Sequence, residues 1–204
     1  MYLLFFILLL FSTPSALAQT PGDTAIAEAL YGSHYAIDRG EFQKARIILK
    51  DAAQQQPNNS KIKLALADLF IKTGYGKEAE IELDKANYLG IKKKDTELLR
   101  IKAQLIQGKF ADVTSQINKV LNVETKDIGR IRALQGVAYL NQGKINKARE
   151  YFIRAAKLAP LALETRIASA RLHILDNKEA QAHHLIISLY SDYPYNTDVL
   201  LMMG

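Results

Sequence analysis

Side chains that could carry catalysis or hold a metal are few in this chain and do not cluster. The 204 residues include no cysteine, which excludes disulfides, thiolate metal sites, iron–sulfur clusters and cysteine nucleophiles. The adjacent His183 and His184 would face different sides of a helix, and no two histidines are spaced as helical metal ligands are. No glycine-rich phosphate loop and no Gly-x-Ser-x-Gly motif occurs. We therefore expect no enzymatic activity, no metal and no cofactor.

The charged residues are unevenly distributed along the chain. The formal net charge is +6, yet residues 85–157 alone carry 16 basic and 6 acidic groups, a net charge of +10. The segments 19–84 and 158–204 each carry a net charge of −2. The basic middle is either a solvated face that aids solubility or a patch that attracts an anionic partner, namely an acidic polysaccharide, an acidic peptide or an anionic membrane surface. The acidic stretch Glu78, Glu80 and Glu82 is interpreted as a solvated helix face.

A fixed period organises the chain. Glycines recur with separations of 34, 34 and 35 residues, and Asn177 follows after another 34; the glycines are Gly40, Gly74, Gly108 and Gly143. Asparagine is the usual substitute where the backbone must be left-handed. Five residues after each of these positions stands a small apolar residue: Ala45, Ala79, Val113, Ala148 and Ala182. This period predicts a series of equivalent structural units.

Each unit is predicted to be a pair of helices joined by a tight turn. In the first unit, residues 26–39 and 41–55 carry apolar side chains at helical spacing, with Gly40 between them. Pro57, Asn58 and Asn59 then end the second helix and offer a cap for the next one. No segment shows sustained alternation of apolar and polar residues, so we expect an all-α fold without a sheet.

These units resemble tetratricopeptide repeats. The resemblance is carried by the glycine and alanine positions above, by Phe70 and Tyr139, and by small residues in the first helices: Ser33, Ala67, Gly136 and Ala170. The third unit departs most, with Ile101 and Gln104 at the small and aromatic positions. The resemblance implies a right-handed α-solenoid. We assign five units and the start of a sixth: 26–59, 60–93, 94–128, 129–162, 163–196 and 197–204.

The resemblance also implies where a partner would bind. In such repeats the first helices line a concave groove that takes protein or peptide segments. The predicted groove residues are His34, Lys61, Asp68, Lys72, Lys102, Arg130, Asn141 and Arg171. Lys102, Arg130 and Arg171 would form a basic middle open to an anionic polysaccharide or membrane surface. The predicted packing residues are Gly40, Ala45, Gly74, Ala79, Gly108, Gly143, Ala148 and Ala182.

The first eighteen residues resemble a secretory signal. An apolar run from Tyr2 to Phe11 is too short to span a bilayer, and Ala16-Leu17-Ala18 forms a cleavage site. We expect cleavage after Ala18 and export to the periplasm or outer-membrane periphery of a Gram-negative bacterium, with residues 19–25 as a lead-in. The alternative is an uncleaved anchor, because no Lys or Arg precedes the apolar run. An exported protein is not expected to bind nucleic acid.

A closer resemblance narrows the expected role. Gly40-Glu41-Phe42, Gln56-Pro57-Asn58-Asn59 and Gln107-Gly108-Lys109-Phe110 are similar to the start of long repeat proteins of the exosortase/PEP-CTERM system. The resemblance implies an exported scaffold that serves exopolysaccharide production or protein sorting, as part of a longer array. The alternatives are a pilus-biogenesis or outer-membrane secretion factor, and a protein with an enzyme domain beyond Gly204.

Overall fold

The computed structural model describes residues 21–115 and 125–203, and within these ranges the chain is helical without any strand. The helices are α1 (Pro21–Asp38), α2 (Phe42–Gln55), α3 (Ser60–Lys72), α4 (Gly76–Tyr88), α5 (Lys93–Ile106), α6 (Phe110–Ser115), α7 (Thr125–Asn141), α8 (Ile145–Leu158), α9 (Leu163–Leu175), α10 (Glu179–Asp192) and α11 (Thr197–Met203). The predicted signal, residues 1–18, lies outside the described residues.

The helices stack as successive hairpins. Helix α1 packs on α2, α3 on α4, α7 on α8, and α9 on α10. Each odd-numbered helix also packs on the next odd-numbered one from α1 to α9. The odd-numbered helices therefore form one continuous inner layer, and the fold is the predicted all-α solenoid.

Every hairpin turn among the described residues contains, at the same position, a residue with left-handed backbone geometry. The φ angle is +72° at Gly40, +83° at Gly74, +70° at Gly108 and +72° at Gly143, and it is +55° at Asn177. The amide that follows each of these residues donates to the carbonyl five positions earlier, as Glu41 does to Ala36 at 2.8 Å. This is the Schellman arrangement, which satisfies the last free carbonyls of a helix. It explains the glycine period.

Several of the predicted packing residues lie in the interior of the stack. Ala45, Ala79, Ala148 and Ala182 are all buried. At Gly136 the contact is closer still, because a Cβ there would lie 2.5 Å from Cδ1 of the fully buried Phe152. Such small residues leave room for the helices to approach each other.

Two helices begin earlier than the predicted units. Helix α1 starts at Pro21, inside the predicted lead-in of residues 19–25. Proline is tolerated in the first turn of a helix, where its missing N–H would have no intrahelical partner. Helix α7 starts at Thr125, four residues before the predicted boundary at 129. The repeat boundaries themselves remain predictions.

Replacing Gly136 with alanine should overpack the α7–α8 contact. We expect Gly136→Ala to lower the free energy of unfolding by roughly 1–3 kcal/mol, measured by urea denaturation, because the buried Phe152 ring has no free space to enter. Gly32→Ala in α1 is the matched control, since its Cβ would be 3.8 Å from the nearest heavy atom, Ile48 Cδ1. The control should gain about 0.5–1 kcal/mol from helix propensity. Equal effects in both variants would contradict this packing.

Candidate functional site

Alternate helices of the solenoid surround two cavities on its inner surface. The larger, here called the central cavity, has a volume of about 410 Å³ and includes four predicted groove residues: Lys72, Lys102, Asn141 and Arg171. The smaller N-terminal cavity, about 360 Å³, includes three more: His34, Lys61 and Asp68. The eighth, Arg130, reaches the central cavity through its contact with Glu164. The structure thus brings the predicted residues to one surface, and their binding role remains a prediction.

Glu164 is the polar centre of the central cavity. Lys102 Nζ lies 2.6 Å from Glu164 Oε1, and Arg130 donates through Nη2 to Oε1 at 3.0 Å and through Nε to Oε2 at 2.8 Å. Its side chain is only 6% exposed. Burial alone would raise the pKa of Glu164, but the hydrogen bonds from Arg130 and the charge of Lys102 outweigh it and lower the pKa to about 2.

The predicted basic middle of the groove is wrong as a source of free positive charge. Besides Glu164, Arg130 Nη1 contacts Asp127 Oδ1 at 3.1 Å, and Arg171 Nη2 contacts Asp198 Oδ1 at 3.1 Å. Three cations therefore face three carboxylates. The prediction from the sequence named the cations but not their carboxylate partners. Asp127 lies on the same helix as Arg130, and Glu164 and Asp198 lie on the next odd-numbered helix after Arg130 and Arg171. The missed signal was spacing, since Glu164 stands 34 residues after Arg130.

Lys72 is the cation of the central cavity that keeps its charge uncompensated. Among the described residues it has no hydrogen-bond or ion-pair partner, whereas Lys102 and Arg171 are both paired. Most of the remaining wall is apolar and comes from α5, α7, α9 and α11: Leu105, Leu134, Val137, Leu163, Ile167 and Leu201. The site offers an apolar surface with one free positive charge.

The central cavity is lined by residues that are far apart in the chain, from the second hairpin to α11. Ile71 and Gly74, at the end of α3, lie on one side, and Thr197 and Leu201 of α11 lie on the other. Outside the cavity, the ring of Tyr195 rests on Gly40, because a Cβ built on that glycine would be 2.7 Å from Tyr195 Cδ1. The turn before α11 therefore touches the turn after α1.

The acidic stretch after Gly76 is not the solvated face that we expected. Glu80 Oε2 accepts hydrogen bonds from Lys109 at 2.7 Å and from Gln107 at 2.9 Å, both in the next hairpin. Burial would raise the pKa of Glu80, but these hydrogen bonds lower it overall. Glu80 therefore ties two repeats together, and only Glu78 is fully exposed.

Metal-binding chemistry has no support in the described part of the chain. His34 Nε2 lies 3.5 Å from Asp38 Oδ2, but both side chains are exposed. Within residues 21–115 and 125–203, no three His, Cys, Asp or Glu side chains are grouped so that they could hold an ion. In these ranges there is also no helix long and apolar enough to cross a membrane.

Lowering the pH should remove the stabilisation that the ionised Glu164 side chain gives to the folded chain. Its folded pKa of about 2 lies below the ordinary 4.5, so the contribution is complete above pH 4.5 and disappears as the pH falls towards 2. We expect Glu164→Gln to lose about 3 kcal/mol of unfolding free energy at pH 7, and the gap to the native chain to shrink across this window. Urea denaturation at a series of pH values measures both.

Glu150→Gln provides the matched control for this titration. Glu150 contacts Arg154 at 2.5 Å, but both side chains are half exposed, and such pairs contribute little. We expect a change within about 0.5 kcal/mol at every pH. A pH-independent gap between Glu164→Gln and the native chain would contradict the assigned role of the carboxylate.

Comparison with known proteins agrees with this architecture. The tetratricopeptide repeat family matches residues 36–105. Cellulose synthase operon protein C of Pseudomonas fluorescens (strain SBW25) is 30% identical over 125 residues, which are 60% of this chain and 10% of that protein. The chain thus spans about a tenth of the length of this curated relative.

A solved structure shows the same fold. The structure described as a functional characterisation of Pseudomonas aeruginosa PilF superposes with a TM-score of 0.59 and 18% sequence identity. The match covers 84% of this chain and 77% of that chain. At this identity the likeness concerns the fold alone. The family match thus identifies tetratricopeptide repeats in residues 36–105, and the stacked hairpins continue as an α-helical solenoid through the other described residues.

Proposed function

We propose that this chain is a non-catalytic interaction scaffold of the bacterial cell envelope, and that its central cavity binds a segment of a partner protein. The observation that carries the proposal is the central cavity itself, which has mostly apolar walls and one uncompensated cation, Lys72. A concave, mainly apolar site with a few polar groups is the usual form of a binding pocket. The fold alone would not carry it, because one fold serves many functions.

The charge balance of the central cavity defines the proposed ligand. Lys102, Arg130 and Arg171 are held by carboxylates of the chain itself, so they would have to exchange existing partners to bind an anionic polymer. An anionic polysaccharide or a membrane surface is therefore a poor ligand for this site. A peptide segment with apolar side chains and a single acidic group facing Lys72 fits better.

For the biological role we favour exopolysaccharide production. The 30% identity to cellulose synthase operon protein C, a protein of a polysaccharide-synthesis operon by its name, supports this choice. Export after cleavage at Ala18 is part of the proposal. Pilus biogenesis or outer-membrane secretion is the second candidate, and the likeness to PilF makes the fold compatible with it without favouring it. The exosortase/PEP-CTERM sorting role has no counterpart in these two relatives and stays a prediction.

Blocking the central cavity should weaken the binding of the partner protein. Asn141→Arg combined with Leu201→Arg places two cations at exposed positions of its lining. We expect the binding of a partner isolated with the native chain, and then purified, to weaken by about tenfold or more, since each charge must be desolvated. Isothermal titration calorimetry of the purified pair measures the Kd.

The matched control carries the same substitutions outside the cavity. Asn146→Arg combined with Leu161→Arg changes two residues that are exposed and do not line it. The control should keep the native Kd, and circular dichroism should show both variants folded. Equal Kd values in the native chain and the cavity variant would reject the proposed site.

The proposed role predicts a defect in polysaccharide. Deleting the gene should lower the amount of extracellular polysaccharide that cells retain, measured by dye binding, because the synthesis machinery would lack its scaffold. The native gene should restore it, and the Asn141→Arg/Leu201→Arg gene should not. Normal polysaccharide together with a loss of surface pili would instead support the second candidate.

A further inference from the structure

A second charged surface lies away from the central cavity, around two stacked tyrosines. The ring centroids of Tyr139 in α7 and Tyr151 in α8 are 4.9 Å apart. Both rings are buried. Four cations stand over them at 5.4–6.0 Å from the centroids: Arg132, Lys144, Lys147 and Arg154. We call these four residues the basic stripe.

The basic stripe keeps a net positive charge, unlike the central cavity. Lys147 has no hydrogen-bond or ion-pair partner among the described residues, and its contact is with the Tyr139 ring. Arg132 and Lys144 donate to neutral amide oxygens, those of Gln135 and Gln142. Arg154 alone faces a carboxylate, Glu150. Four cations thus meet one carboxylate, so this surface holds part of the excess positive charge of residues 85–157.

Three of the four basic-stripe cations lie along one side of α8, and Arg132 of α7 lies over the same Tyr151 ring as Arg154. Lys144, Lys147, Tyr151 and Arg154 follow one another by 3, 4 and 3 residues along α8 and its N-cap. At 1.5 Å per residue, the cations extend along about 15 Å of helix. Lys144, Lys147 and Arg154 are exposed, whereas Ala148, Phe152 and Ala155 on the other side of α8 are buried in the core.

We propose that the basic stripe is a docking surface for an acidic helix of a partner protein. A helix with carboxylates three and four residues apart presents them in a row of the same pitch. The tyrosine rings hold the cations in place, which lowers the cost of ordering long side chains on binding. The ring faces are already covered by cations, so they are not open to stack against sugar rings. A protein therefore suits the surface better than a polysaccharide does.

This surface is separate from the proposed function of the central cavity and can be tested apart from it. The probe is a synthetic alanine-rich helical peptide with four glutamates at spacings of 3, 4 and 3. A second peptide of the same composition, with the glutamates on all sides of the helix, is the matched probe. Fluorescence anisotropy with the full chain at low salt measures both Kd values, and polygalacturonate serves as competitor.

Neutralising two cations of the basic stripe should weaken binding of the spaced peptide. We expect Lys147→Gln combined with Arg154→Gln to raise the Kd by about tenfold or more, because the surface loses half of its cations. Lys92→Gln combined with Lys94→Gln removes the same charge from exposed positions elsewhere and should change the Kd less than about twofold. The Asn141→Arg/Leu201→Arg variant should bind the peptide as the native chain does.

Three results would overturn the proposal. The first is an equal loss of affinity in the two neutralised variants, and the second is equal binding of the two peptides. The third is tight, stripe-dependent binding of polygalacturonate without measurable binding of the spaced peptide. If the double variant does not fold by circular dichroism, Lys147→Gln alone decides, because this exposed side chain has no hydrogen-bond or ion-pair partner among the described residues and would lose only its contact with the Tyr139 ring.

Discussion

One backbone constraint underlies the whole structure: a residue with left-handed geometry must end the first helix of every hairpin. At that residue the chain reverses within the three residues that separate the two helices, and it still satisfies the last carbonyls of the first helix. Four glycines and Asn177 meet this requirement at nearly constant intervals. The interval fixes the length of each hairpin, and equal hairpins place equivalent side chains in register along the stack. Packing and charge pairing both follow from that register.

The same register explains the electrostatics of the inner surface. Residues one period apart occupy adjacent helices, so an arginine in one repeat can meet a carboxylate in the next, as Arg130 meets Glu164. Burial makes such a pair costly to break, whichever partner is lost. Lys102, Arg130 and Arg171 of the inner surface are paired with carboxylates in this way. Lys72 in the cavity and most of the cations above Tyr139 and Tyr151 are not. The net charge of a sequence segment therefore does not predict on which surface of the fold the unpaired charges lie.

The fold could be predicted from the sequence to a large extent, because its determinants are local. The turn at Gly40 and the burial of Ala79 are set by one backbone angle and one small side chain within a repeat. The ion pairing of the groove cations could not be predicted, because it depends on contacts between repeats. Glu164 of α9 and Asp198 of α11 neutralise arginines of α7 and α9, and Glu80 pairs across to Lys109. Pairing residues one period apart would have found the first of these contacts, but no spacing rule would have found that between Tyr195 and Gly40.

That last contact changes the mechanical character of the solenoid. A row of repeats that contact only their neighbours can bend or stretch through small movements at every interface. Where the turn before α11 rests on the turn after α1, the row becomes a closed loop. A loop cannot widen at one interface unless another narrows or the closing contact breaks. The half-exposed ring of Tyr195 supplies this closing contact, so removing the ring would return the array to an open row.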